Sequence, residues 1–156
     1  MGARPEAGAS ADTTAEREQA LKLFVVLARA ANAIQRESHV DIARHGFSPG
    51  EFAVLDVLYH RGPLLLGEVQ RKVLVSSGGI TYLVDRLEQQ GLVERRESAS
   101  DRRARYAALT DRGMALMAEI FPEHAAAIER AVAALDPQEK AAAINLLRKL
   151  GKGIAP

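Results

Sequence analysis

Apolar residues recur at spacings of three and four along most of the chain, which predicts a mainly helical fold. From Thr14 to about Arg44 the periodic positions include Leu21, Phe24, Val25, Ala28, Ala31 and Ile34. Leu23, Val26, Leu27 and Ala30 add a second apolar face. A helix that is apolar nearly all round is buried on both sides. In one small domain this predicts packing against its own core and against a partner subunit. Gly46 is expected to stop the helix. Ser48-Pro49-Gly50-Glu51 reads as a capping box, with Ser48 at the N-cap, Pro49 first in the helix and Glu51 third. That helix runs through Phe52, Val54, Leu55, Val57 and Leu58 to about His60, and Arg61-Gly62-Pro63 ends it. A short helix over about Gly67 to Val73 follows, with Val69 facing inward.

The sharpest amphipathic pattern lies between about Ser77 and Gln90. Ile80, Leu83, Val84 and Leu87 sit at i, i+3, i+4 and i+7, while the opposite face carries Ser77, Gly78, Thr81, Tyr82, Asp85 and Arg86. Gly91 is its expected stop. Residues 92–96 and 104–109 read as two strands of a hairpin, although the alanines of the second are poor strand formers. Thr110 caps a long helix in which Pro122 is expected to kink or interrupt the chain near Ile120 or Phe121 before it continues to Leu135. Asp136-Pro137-Gln138-Glu139 starts the last helix, which carries Ala143, Ile144, Leu146, Leu147 and Leu150. Residues 1–12 show no periodicity and read as a mobile tail.

A chain of 156 residues fits one domain and buries enough surface to need no disulfide or metal. Lys and Arg total 21 against 20 Asp and Glu, a net charge of +1, so any case for a nucleic-acid partner rests on where the charges sit. The absence of cysteine excludes thiol redox sensing and thiolate metal sites. No run approaches the ~20 apolar residues of a membrane span, and the N-terminal residues have no apolar signal core. The expectation is a cytoplasmic protein with no membrane partner. The four histidines, His39, His45, His60 and His124, show no metal-ligand spacing. The expectation is therefore no metal and no cofactor. No G-x-S-x-G elbow surrounds Ser76 or Ser77, and no glycine-rich phosphate loop is present, which argues against an enzyme.

Three short helices followed by a hairpin with a basic tip form the order of a winged helix-turn-helix. The helix from Ser77 to Gln90 is then the recognition helix, its apolar stripe docked and its polar face turned to the major groove. Ser77, Thr81 and Tyr82 suit base edges, and Gly78 lets the positive helix N-terminus approach a phosphate. Arg86 is expected to reach the DNA backbone or to pair with a wing acid. Between positions 94 and 105 five arginines face three acids, with Asp101, Arg102 and Arg103 at the hairpin tip. Arginine suits a narrow minor groove, and Asp101 can hold one of them in a fixed fork.

Residues about 20 to 153 resemble the MarR family of bacterial transcriptional regulators. The resemblance is carried by FSPGEFAVLDVLYHRGP, VSSGGITYLVDRLEQQGLVERR, SDRRARYAALTDRG and LDPQEK. It implies a homodimer on double-stranded DNA, mainly α with a small β-hairpin wing. Residues 1–12 form the tail, 13–46 the N-terminal dimerisation helix, 47–109 the winged DNA-binding lobe and 110–156 the C-terminal dimerisation helices. The resemblance further implies that Arg103 enters the minor groove, oriented by Asp101. FVVLARA, GGITYLVDRLE and IFPEH are similar to the branch tied to quinone and catechol resistance. This implies a repressor released from a pseudo-palindromic operator by a small aromatic or phenolic effector. Phe24, Phe52, Tyr59 and Met117 are loose candidates to line its site. Leu65 departs from the family, where Ser or Thr usually caps the following helix, a loss of about 1 kcal/mol. Two alternatives remain open at this point: a winged-helix module that docks proteins, and a DNA binder with no effector.

Overall fold

The computed structural model describes residues 7–73, 77–97 and 105–154. Among these the elements are, in order, α1 (Ala7–Arg44), α2 (Pro49–Arg61), β1 (Leu64–Leu65), α3 (Leu66–Val73), α4 (Ser77–Gln89), β2 (Val93–Glu97), β3 (Arg105–Leu109), α5 (Asp111–Ala131) and α6 (Pro137–Ile154). The chain falls into two units, one up to Arg36 and one from Glu37 onward.

In the first unit α1 starts at Ala7, several residues before the expected Thr14. The alanines at 7, 9 and 11 are the strongest helix formers available and extend the helix into the expected tail. The rest of that tail, residues 1–6, lies outside the described residues. Leu21, Leu23, Phe24, Val25 and Val26 are all exposed, Phe24 at 70%. The two apolar faces expected to be buried are therefore uncovered in the single chain.

The second unit holds the core. Val54, Leu55 and Leu58 of α2, Val69 of α3, Val84 and Leu87 of α4 and Met117 of α5 are fully buried, with Ile42, Phe52, Ile80, Leu92, Val93 and Ile120 around them. Burying one such aliphatic side chain stabilises the fold by roughly 1.5–3 kcal/mol. Gly46 and Gly91 end α1 and α4 at φ 83° and 70°, as the sequence predicts. The sheet is antiparallel with order β1-β3-β2, and its hairpin register runs from Val93 opposite Leu109 to Glu97 opposite Arg105.

The expected hairpin is present with one strand added, and the reading of α5 needs correction. The wing is a three-stranded sheet, because Leu64 and Leu65 pair with Ala107 and Tyr106. Two residues are too few to show an alternating pattern, so β1 left no signal. Helix α5 runs unbroken through Pro122. Proline removes one backbone bond, to the carbonyl of Ala118. Ala118 is exposed, so water can satisfy that carbonyl while buried Met117, Ile120 and Ala127 hold the helix on both sides of the proline. That helix also ends at Ala131 and not at Leu135, with Val132 as its C-cap. At Leu65 the missing hydroxyl is partly replaced: Glu68 Oε2 accepts the Leu65 N–H at 3.1 Å, the reverse half of a capping box.

Thr110 pins the base of the wing to the start of α5. Its hydroxyl accepts from the Gly113 N–H at 3.0 Å and donates to the Gly91 carbonyl at 2.6 Å, while its own N–H donates to the Leu92 carbonyl at 3.1 Å. The chains come so close that a Cβ on Gly113 would lie 2.1 Å from the Leu92 carbonyl oxygen.

The Ser48–Glu51 capping box is present in full: the Glu51 N–H donates to Ser48 Oγ at 3.2 Å, and the Ser48 N–H donates to Glu51 Oε2 at 2.9 Å. Glu51 is only 4% exposed, and its other oxygen accepts from Arg86 Nε of α4 at 2.8 Å and from Gln90 Nε2, just past the end of α4, at 3.4 Å. Burial alone would raise its pKa; the Ser48 backbone bond and the Arg86 guanidinium outweigh burial and hold the carboxyl below its ordinary value.

Two predictions follow from these contacts. Gly113→Ala adds about 1 kcal/mol of helix propensity but forces backbone apart at a cost of about 1–3 kcal/mol. Its melting temperature is expected to fall, whereas Gly151→Ala, with nothing within 4 Å, is expected to hold or raise it. Equal melting of the two variants would refute the close approach. Second, a carboxylate with a lowered folded pKa contributes stability above its ordinary value of 4.5 and loses it as pH falls through the folded pKa. Wild type is therefore expected to be more stable than Glu51→Gln at neutral pH, with the gap closing below about pH 4.5; denaturant melts across pH 3 to 7 measure it.

Candidate nucleic-acid interface

Helix α4 is oriented by its apolar stripe. Ile80, Val84 and Leu87 are buried, Leu83 is half-buried, and the opposite face leaves Thr81, Tyr82, Asp85 and Arg86 exposed. Ser77 and Gly78 form the first turn of α4. Of the recognition-helix candidates, the structure thus brings Ser77, Gly78, Thr81, Tyr82 and Arg86 onto one short helix.

Arg86 is already engaged within the protein. Besides its bond to Glu51 Oε1, its Nη1 donates to Tyr82 Oη at 3.4 Å, and its guanidinium carbon lies 5.9 Å from the centre of the Tyr82 ring. The Tyr82 and Glu51 bonds raise its pKa further. Its carboxylate partner within the chain is Glu51 on α2, where a wing acid was the expectation. Sequence reading saw Glu51 only as a cap, because a partner 35 residues away has no local spacing to reveal it.

The wing strands β2 and β3 bracket residues 98–104. Asp101, Arg102 and Arg103 lie outside the described residues. The arginines beside them divide. Arg95 is 19% exposed; its Nη2 donates to Asp85 Oδ1 at 2.7 Å, its Nη1 pairs with Glu88 Oε2, and its backbone N–H donates to Glu88 Oε1 at 3.0 Å. Arg96 pairs with Glu94 at 2.6 Å on the surface. Arg105 is exposed at the start of β3.

The histidines and the loose effector candidates lie on other helices, His45 just past the end of α1. His39 is exposed. His45 Nε2 sits 3.8 Å from Asp41 and 3.7 Å from Glu123, and His124 Nδ1 is 3.0 Å from Asp41 Oδ2. His60 faces Asp56 at 3.3 Å and packs edge-on to Phe121. Among the described residues no group of three or more His, Asp or Glu is arranged to hold a metal. Phe52 and Met117, offered as effector contacts, belong to the core and present almost no surface. Their helical spacing is the same whether a residue lines a pocket or fills a core. A cleft of about 300 Å³ opens nearby between Glu37, Val40, Asp41, Arg44, Ala127 and Arg130. No helix among the described residues is long and apolar enough to cross a membrane.

Comparisons with known proteins agree with this geometry. The MarR family profile matches residues 45–104, from the end of α1 into the wing. The HTH-type transcriptional regulator MhqR of Bacillus subtilis is 42% identical over 134 residues, covering 86% of this chain and 92% of the relative. BpsR of Bordetella bronchiseptica, whose DNA binding is regulated by 6-hydroxynicotinic acid, is similar in structure with a TM-score of 0.73 and 25% identity, over 83% of this chain and 98% of that one. Sco3205 of Streptomyces coelicolor, a MarR family regulator solved in complex with DNA, shares the fold at a TM-score of 0.78 and 24% identity, over 87% and 91% of the two chains. A core-docked amphipathic helix α4, an adjoining three-stranded wing and a relative this similar over nearly its whole length lead to one conclusion: the chain belongs to the MarR family of DNA-binding transcriptional regulators.

Proposed function

We propose that the chain acts as a cytoplasmic homodimeric repressor that reads a pseudo-palindromic operator and is released from it by a small aromatic or phenolic effector. The observation that carries the reading is the posture of α4: one face held by the core and the other, with Thr81 and Tyr82, presented to solvent beside the wing. A helix so presented fits the major groove, where each base pair shows a distinct pattern of donors and acceptors. The wing tip, with Arg103 oriented by Asp101, is assigned to the adjacent minor groove. Ser77 and Gly78 are assigned to the phosphate at the α4 N-terminus.

Homodimerisation is supported by apolar surface that the single chain leaves uncovered. Phe24 and Leu21 on α1 are exposed, and so are Ile144, Leu146, Leu147 and Ile154 on α6, a helix with no buried residue. Apolar faces this extensive mark association surfaces. A two-fold dimer places two α4 helices on half-sites about one DNA turn apart. The effector is supported by analogy with BpsR; the cleft sets Arg44 and Arg130 against Glu37 and Asp41, and Arg44 already pairs with Asp41 at 3.3 Å, so its charge alone selects no anion. A ligand that binds one separation of the recognition helices better than the other shifts the population away from the operator-bound form.

The decisive experiment is binding to a duplex enriched by the protein from a randomised pool, at about 50 and 200 mM salt with random DNA as competitor. A dimer making about 6–10 phosphate contacts loses roughly a thousandfold or more in affinity over that range. A flat salt response would instead favour a protein-docking module. Arg103→Ala is expected to weaken binding by about 1–3 kcal/mol with an unchanged circular dichroism spectrum. Wild-type affinity in that variant would remove the wing from the interface. Thr81→Ala is expected to change the ranking of operator variants more than it changes binding to random DNA.

A further inference from the structure

Arg86 lies on the exposed face of α4, yet its Nε and Nη1 donate to groups of the protein. The chain of contacts starts at a group that cannot move. Glu51 is buried, and its Oε2 is held by the Ser48 N–H at 2.9 Å in the first turn of α2. Its Oε1 fixes Arg86 Nε at 2.8 Å and takes a second bond from Gln90 at 3.4 Å. The guanidinium is planar, so fixing Nε fixes the direction of the remaining donors. One of these, Nη1, donates to Tyr82 Oη at 3.4 Å. Tyr82 is 60% exposed, and Arg86 is the described residue that ties down its phenol.

We propose that Arg86 is a positioning residue that sets both the direction and the polarity of the Tyr82 phenol, so that Tyr82 reads a hydrogen-bond acceptor on a base edge. The phenol oxygen accepts from Arg86, which leaves its O–H proton as the group turned outward. A hydroxyl whose oxygen already accepts a charge-assisted bond is also a better donor. In the major groove the acceptors are purine N7, guanine O6 and thymine O4, while cytosine N4 and adenine N6 present donors. Tyr82 therefore prefers a base with a major-groove acceptor, guanine, thymine or adenine through N7, and disfavours cytosine, which offers only its amino donor. The inference rests on the reading of α4 as the recognition helix.

The test compares Tyr82→Phe, Arg86→Met, Arg86→Lys and the Tyr82→Phe/Arg86→Met double variant on the wild-type-enriched duplex, on duplexes substituted at each base pair in turn, and on random DNA. Tyr82→Phe and Arg86→Met are each expected to lose roughly five- to tenfold on the enriched duplex, with discrimination lost at the same base pair. The double variant is expected to be no worse than either single one, because both remove one shared interaction. Binding to random DNA and the salt dependence stay as in wild type. Arg86→Lys keeps the charge but not the planar fork, and is expected to behave like Arg86→Met. Three outcomes overturn the proposal. One is Arg86→Met weakening all sequences equally, with the salt slope lowered by about one and restored by Arg86→Lys, which makes Arg86 a phosphate contact. Another is wild-type discrimination in Tyr82→Phe, a variant that leaves Glu51 and the core untouched and so decides the matter even if Arg86→Met does not fold. The third is a wild-type protein that enriches no sequence at all; this alone also overturns the DNA-binding reading beneath it.

Discussion

Three side chains shielded from water decide which way α4 faces. Ile80, Val84 and Leu87 are buried against α2 and α3, and turning the helix over would return all three to solvent. At roughly 1.5–3 kcal/mol each, that reversal costs an amount comparable to the whole stability of a domain this size. The outward face is thus settled by packing before any ligand arrives. Thr81 and Tyr82 need no affinity for the protein interior to be where they are; they are simply what is left on the other side.

Packing sets the face, but it does not set the angle at which individual polar groups leave it. That finer task falls to charge. Glu51 closes the N-terminus of α2 with one carboxylate oxygen and holds Arg86 of α4 with the other. A buried carboxylate left without partners is costly, so each of its bonds supports the others. The same group that starts one helix thereby fixes the rotation of a side chain on another. Thr110 does the equivalent job at the far side of the lobe, where its hydroxyl and amide join the turn after α4 to the first turn of α5.

Much of this was legible in the sequence, and the boundary has a physical meaning. The capping box at Ser48, the stripe from Ile80 to Leu87, the stops at Gly46 and Gly91 and the cap at Thr110 are all local, so spacing alone reveals them. The features that escaped depend on distance or on brevity. Strand β1 is two residues long and exists only because β3 offers it a partner. The Glu51–Arg86 bond spans 35 positions. Pro122 does not interrupt α5, because tertiary contacts on both sides of it outweigh its local cost. Phe52 and Met117 mark a different limit: they are core residues here, and a periodic apolar residue has the same spacing in a core as in a binding site.

Arg95 carries the last consequence. It stands on β2 but spends its guanidinium on Asp85 and Glu88, on the C-terminal half of α4. Strand and helix are therefore aligned by a strut between β2 and the C-terminal half of α4, made by residues other than those proposed to contact DNA. Substitutions at Ser77, Thr81 or Tyr82 leave that strut in place. On the proposed reading of α4, its contact surface can then change one residue at a time without disturbing the alignment of helix and strand.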